Sequence, residues 1–261
     1  RRSLLRDAAG LHARSFGVPM DVWWFRLPRY EGDPQGAVGR FGAGQAMVLL
    51  DRGDYFQCAF LIRKGSDAIL RAQGIEAFRR RVAALLPWLA ERLPAVSTWS
   101  DVALLDVRLD RLRRWSIDGL LCIGDAAHAM SPVGGVGINL AIQDAVAAAR
   151  LLAGPLRRGT VTRHLLDRVQ LRRWAPTALT QTAQRAIHAR VLVPVLTDDA
   201  EPTGSASGSG RPPFPIRLLQ RFPVLQAIPA TAVGIGLLPE HAPRFARRGS
   251  SRATNPHPAG P

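Results

Sequence analysis

Residues 120–139, reading LLCIGDAAHAMSPVGGVGIN, constrain what this chain can fold into more than any other stretch. A short apolar run at 120–123 ends in Gly124-Asp125. The chain then crosses a loop holding Pro132, Gly134, Gly135 and Gly137, and enters an alanine-rich helical pattern at about Ile138. The apolar run reads as a buried strand, although its length alone leaves other structures open. Gly124 lacks a Cβ and lets a ligand approach the backbone closely. Asp125 then presents an acceptor at the strand's carboxyl end, where α/β sheets hold ligands. Pro132 stiffens the loop. In the helix, Leu140, Asp144, Ala148 and Leu151 recur about one turn apart, and Gly154-Pro155 is expected to end it. Unpaired N–H groups at the helix start favour an anion or an electron-rich oxygen. Such a unit suits a ligand with hydroxyls at one place and a partly anionic group a few ångströms on. The plainer alternative is a tight turn before a packed helix, with Asp125 as an ordinary cap.

The strand, the Gly-Asp-Ala-Ala-His, the proline and the Gly-Val-Gly-Ile-Asn occur in order without a gap. Together they resemble the second FAD-binding motif of the flavin-dependent aromatic hydroxylases, the p-hydroxybenzoate hydroxylase-like monooxygenases. The resemblance implies that FAD contacts Gly124 and Asp125, with the Asp125 carboxylate on the ribityl chain. It implies that Pro132 lines the reaction face beside the isoalloxazine ring. The backbone of Gly135, Val136, Gly137, Ile138 and Asn139 would contact the pyrimidine end, where the helix dipole favours the reduced ring's negative charge. His128 matches a position where that family often has histidine, and a packing or loop-bracing role is preferred to acid–base chemistry. No residue is assigned a catalytic role.

The second informative feature is an absence. The chain opens Arg1-Arg2-Ser3 and holds no G-x-G-x-x-G strand–turn–helix, the fingerprint that cradles the FAD pyrophosphate near the N-terminus of such flavoproteins. The opening Arg-Arg-Ser-Leu-Leu-Arg-Asp resembles the segment directly after the family's Asp-Gly motif, which places Arg2 or Arg6 near pyrophosphate or, equally, on the surface. The expected fold is α/β (α+β). It comprises an incomplete FAD-binding Rossmann-type domain, a β-sheet substrate domain and C-terminal helices, together a C-terminal fragment. The expected divisions are 1–20 and 111–196 for the FAD-binding domain and 21–110 for the substrate domain. A flexible loop is expected at 197–213, a helical segment at 214–240 and a disordered tail at 241–261.

Apolar residues make up 47% of the chain, far above a disordered composition. The net charge of +15 raises nucleic acid or an anionic membrane as partners. However, Lys64 is the only lysine, and an arginine- and alanine-rich chain points to codon bias instead. Neither nucleic-acid binding nor stable membrane insertion is therefore expected, and part of the charge would draw in NADPH or an acidic substrate. No apolar run is expected to be long enough to span a bilayer; residues 224–238 come closest and are broken by Pro229. Cys58 and Cys122 are too few for a disulfide framework, the six histidines lack ligand spacing, and no metal site is expected. The cytoplasm is the expected compartment, and the oligomeric state is not legible.

Residues 21–28 are aromatic-rich and predict a strand. Residues 46–50, the turn 51–54 and residues 55–62 predict a β-hairpin. Residues 75–92 predict a helix with Phe78, Val82, Leu85 and Leu89 on one face, bent or interrupted by Pro87. A further strand is expected near 102–109. Alternation puts Trp23 and Phe25 on one face and Trp24 on the other. Trp23, Trp24, Phe25, Tyr55 and Phe56 offer aromatic surface, mostly for packing, and Arg26 and Arg29 are candidate partners for a substrate carboxylate. The helical pattern resumes through about Leu196, with Arg172-Arg173-Trp174 and Pro176-Thr177 resembling a family element.

The resemblance implies a monooxygenase that hydroxylates an aromatic or other electron-rich small molecule, using FAD, NAD(P)H and dioxygen. A flavin-dependent halogenase and an isoprenoid-type reductase share the FAD motif; the halogenase normally needs a catalytic lysine in a signature that Lys64 does not occupy. The alternative from another class is a truncated, non-enzymatic remnant that holds FAD weakly or not at all alone.

Overall fold

In the computed structural model, the described residues are 3–42, 44–197 and 238–241. A five-stranded antiparallel sheet dominates the first half. Its strands are β2 (Met20–Pro28), β3 (Ala37–Gly42), β4 (Gln45–Asp51), β5 (Tyr55–Arg63) and β6 (Ala103–Leu105), in the order β3-β4-β5-β2-β6. The predicted strand and hairpin are both present, with Trp23 opposite Phe60 and Leu49 opposite Cys58. A short helix, α1 (Leu4–Ala8), and a two-stranded ribbon of β1 (Ala13–Ser15) with β7 (Asp110–Leu112) flank the sheet. Of the strand expected near 102–109 only β6 forms; β7 begins beyond it, at Asp110.

One sheet face is sealed by α2 (Asp67–Ala72), α3 (Ile75–Leu85) and a 3₁₀ stretch, Pro87–Ala95. Phe78, Val82 and Leu89 are buried against Trp23, Phe25 and Phe56, so the predicted helical stripe does face the core. Pro87 opens the 3₁₀ stretch and ends the α-helical geometry two residues after Leu85, as its lost N–H and ring dictate. Trp23 stacks edge-on to Phe78 at 5.5 Å and donates its indole N–H to Asp67 at 2.6 Å. The opposite sheet face carries Val22, Trp24, Ala46, Val48 and Leu61, and packs against Leu192 and Leu196 from the end of the chain's helical half.

That half holds α4 (Gly137–Arg157), α5 (Arg163–Ile187), a π-helical stretch at His188–Leu192, and α6 (Val193–Thr197). Helix α4 runs past Gly154-Pro155, contrary to the sequence expectation. Proline costs one hydrogen bond but keeps a helical φ, so a long helix carries over it for a last turn. The actual stop is Gly159 at φ +65°, whose N–H reaches Leu156 O at 3.2 Å while Thr160 N–H reaches Pro155 O at 2.9 Å. Those two bonds form a Schellman cap.

Residues 120–123 also differ from expectation. Only β9 (Leu120–Leu121) is a strand, half-buried and paired antiparallel with β8 (Ser116–Ile117). Among the described residues no parallel neighbour flanks it, so the run is not buried on both faces. Val133–Arg157, with mean hydropathy 1.3, is long and apolar enough by length and composition to cross a membrane, which corrects the expectation that no run reaches that length. Within the fold its inner face carries buried Gln143 and Asp144 and packs on α5. The loop, tail and helical segment expected at 198–237 and 242–261 lie outside the described residues, as does Arg2.

Candidate functional site

After β9 the chain passes Ile123 in extended geometry and turns at Gly124–Ala126. Gly124 is buried with φ +57°, and a Cβ built there would stand 3.0 Å from Ala141 Cβ on α4. Both the left-handed φ and the close approach to the helix favour glycine there. Its N–H donates to Asp144 Oδ2 at 3.0 Å.

Asp144 is the hub of the turn. Its carboxylate also takes His128 Nε2 at 2.6 Å and Arg173 Nε at 3.0 Å, with both Asp144 and Arg173 at most 1% exposed. A carboxylate only accepts, so His128 carries its proton on Nε2. Arg173 is held further by Gln143 Oε1 at 2.9 Å and Leu238 O at 3.2 Å. His128 lies against Trp115, ring centroids 5.0 Å apart, with no solvent path to substrate chemistry. It braces the loop, as preferred from the sequence.

A second clamp holds residues 131–133. The Gln184 amide donates to Ser131 O at 2.9 Å and Val133 O at 2.8 Å, and its Oε1 accepts Ser131 N–H at 3.2 Å. His188 Nε2 meets Ser131 Oγ at 2.9 Å, and Gln181 donates to Asp110 O at 2.7 Å. Burial pushes His188 below its ordinary value of 6.5. A depressed histidine favours the neutral fold, so this stability is present above the unfolded value and is lost as pH falls from it towards the folded one. Denaturant midpoints are expected to drop as pH falls below about 6.5, and H188Q should flatten that drop.

The polar residues of both clamps do not stand out in the sequence as structural ties. The available signal is polarity on a buried stripe: Gln143 and Asp144 inside an alanine-rich helix, and Gln181, Gln184 and His188 spaced one and two turns apart on α5 and just beyond it.

Between the clamps most of the expected ligand-facing residues reach solvent. Asp125 is exposed at the turn, Gly134 and Gly135 are exposed with φ +79° and +64°, Pro132, Gly137 and Asn139 are half-buried, and Ile138 is 68% exposed. Gly124 and Val136 are the buried members of the set, Val136 packed with Met130 and Leu140. No side chain caps the start of α4. An open glycine turn, an uncapped helix start and a surface carboxylate fit a flavin: the positive helix end suits the pyrimidine oxygen and Asp125 suits a ribityl hydroxyl.

Val133, in the same loop, packs into the cluster that contains Trp24 and Val48 of the sheet's outer face. The sheet therefore stands over the loop. Trp23, Phe25 and Phe56 are core residues on the other face, at most 3% exposed, which removes them as ring-stacking candidates. Trp24, Arg26, Tyr55 and Gln57, together with Phe25, Ala95, Asp101 and Ala103, line a cavity of about 460 Å³. Arg26 lies 4.8 Å over the Tyr55 ring. Arg29 is paired with Asp51 at 3.3 Å and bonded to Gly53 O, a structural role.

Lys64 donates to Asp21, Asp106 and Val107 O. Burial opposes its charge, but the two carboxylates outweigh burial and raise the ammonium above its ordinary range. It ties β5 to the start of β2 and is not free for chemistry. Cys58 and Cys122 are buried free thiols, and burial pushes Cys58 up to about 12. Among the described residues no cluster of His, Cys, Asp or Glu could hold a metal.

A family model described as FAD binding domain matches residues 1–183. The chain is 32% identical over 230 residues to 6-methylpretetramide 4-monooxygenase of Streptomyces rimosus, covering 87% of this chain and 52% of that protein. It is 25% identical over 190 residues to protoasukamycin 4-monooxygenase of Streptomyces nodosus subsp. asukaensis, covering 69% and 47%. The chain thus spans about half the length of these relatives. PqsL from Pseudomonas aeruginosa, described as a probable FAD-dependent monooxygenase, superposes with TM-score 0.60 at 20% identity over 75% of this chain and 54% of its own, a likeness of fold.

Proposed function

For a chain that belongs to the FAD binding domain family, we propose a role as the flavin-loop and substrate-sheet portion of an FAD-dependent monooxygenase. Its substrate is an aromatic or other electron-rich small molecule, and NAD(P)H is the reductant. Residues 21–110 form the substrate side, and 1–20 with 111–196 the flavin side. Nucleic acid and the membrane interior are not its partners. The observation that carries this reading is the shared cluster of Val133 and Trp24, which sets the glycine loop beneath an aromatic sheet face.

When bound, FAD supplies hydride acceptance and oxygen activation. The chain's own groups do the rest. Asp125 accepts a hydrogen bond from a ribityl hydroxyl and fixes the cofactor's depth. The uncapped start of α4 places partial positive charge by the pyrimidine edge. Trp24, Tyr55 and Gln57 form a wall that orients a flat substrate and excludes water, and Arg26 offers a guanidinium to a phenolate or carboxylate.

Titration of the chain with FAD, read by flavin fluorescence, is expected to show weak but saturable binding. D125A should lower that affinity about tenfold, the worth of one charge-assisted hydrogen bond. The absence of saturable binding, or an unaltered affinity in the variant, would overturn the reading.

A further inference from the structure

The ribbon of β1 and β7 carries a group of arginines that the flavin loop does not use. Arg14 lies directly opposite Arg111 in the ladder. Strand alternation puts His12, Phe16 and Arg113 on the same face. The guanidinium carbons of Arg14, Arg111 and Arg185 stand 5.4, 5.5 and 5.3 Å from the Phe16 ring centroid, and Arg111 also lies 4.8 Å over Trp174. Several buried or half-buried arginines elsewhere are ion-paired, as in Arg71–Asp67, Arg92–Asp33 and Arg173–Asp144. Here, among the described residues, no carboxylate lies within ion-pair distance of the three. One Nη of Arg111 is buried without a hydrogen-bond partner. Burial and the neighbouring Arg14 together pull Arg111 below its ordinary range. His12, Arg14, Arg113 and Arg114 line an adjoining cavity of about 380 Å³.

Like charges directly opposite in a ladder destabilise it. A fold that gathers them without counter-charge is arranged for an anion from outside. Guanidinium forks match phosphate oxygens two at a time. Trp174, 46% exposed, adds a flat ring at the edge of the group. We propose that this face binds the diphosphate of an adenine dinucleotide, with Arg14, Arg111 and Arg185 on the phosphates and Trp174 beside the base. The inference rests on the proposed function in one respect: that reaction supplies two such molecules, the nicotinamide reductant and FAD.

The test uses the full chain without added flavin, titrated with inorganic pyrophosphate, NADP⁺, NAD⁺ and FAD and read by tryptophan fluorescence. W174F identifies the reporter. Saturable, salt-sensitive binding of pyrophosphate and of at least one dinucleotide is expected. R14Q and R185Q should each weaken it about tenfold. The melting temperature of R14Q should hold or rise, because repulsion is relieved; a purely structural arginine would lower it. Preference for NADP⁺ or NAD⁺ assigns the face to the reductant, and preference for FAD assigns it to the flavin diphosphate. The proposal is overturned if pyrophosphate and all three dinucleotides fail to saturate, or if both variants bind like the parent. The pyrophosphate arm needs no flavin loop, so its failure is distinct from loss of FAD binding through Asp125.

Discussion

Replacing Asp144 with alanine is expected to destabilise the fold by about 3–5 kcal/mol, the usual result of removing one member of a buried ion pair. The cost arises less from the lost attraction than from what is left behind. Arg173 is 1% exposed, and without Asp144 its charge retains only Gln143, Leu238 O and the more distant Glu240 at 4.0 Å. Gly124 N–H and His128 Nε2–H would lose their acceptor in the same step. D144N keeps the shape and an acceptor oxygen, so it should cost less. Urea denaturation of both variants measures the difference. A loss in D144A below about 1 kcal/mol would place this network among the weakly coupled surface pairs and refute the hub.

The second large effect is expected at Gln184. Q184L leaves Ser131 O, Val133 O and Ser131 N–H without their partner. An unsatisfied buried polar group costs about 1–3 kcal/mol, and partial access to water for Val133 keeps the total near 2–4 kcal/mol. The larger consequence is functional. With the clamp gone, the loop that carries Pro132 loses the constraint that sets it beneath the sheet, and FAD affinity should fall by more than the roughly tenfold expected for D125A. Thermal melts and flavin titration of Q184L, with Q184E as the isosteric comparison, separate the two. Q184E keeps an acceptor for Ser131 N–H but cannot donate to Ser131 O and Val133 O, so it should lose stability and FAD affinity much as Q184L does; parental behaviour of Q184E would refute the clamp.

These two residues mark the boundary between what is legible in the sequence and what is not. Residues 120–139 announce their chemistry because glycine, proline and aspartate at fixed offsets are local requirements of a turn that admits a ligand. The hairpin of β4 and β5, the Phe78–Val82–Leu89 stripe and the break at Pro87 are legible for the same reason: period, turn chemistry and a missing N–H act within a few residues. The stop of α4 is misread from sequence because Gly154-Pro155 is a local signal that a long helix overrides in favour of the Schellman cap at Gly159. The aromatic wall is half legible. Alternation separates Trp24 from Trp23 and Phe25, but which face meets helices and which meets the loop depends on α3 and α6, elements distant in the chain.

The sequence by itself determined the kind of ligand, because a flavin-type turn is written in consecutive backbone requirements. Only the tertiary structure decided how that turn is held. Asp144, Arg173, Gln184 and His188 are ordinary polar residues in helical patterns until packing removes them from water. Burial then makes an unmet hydrogen bond or an unpaired charge expensive, and the partners that meet those needs lie 16 to 65 positions away in the chain.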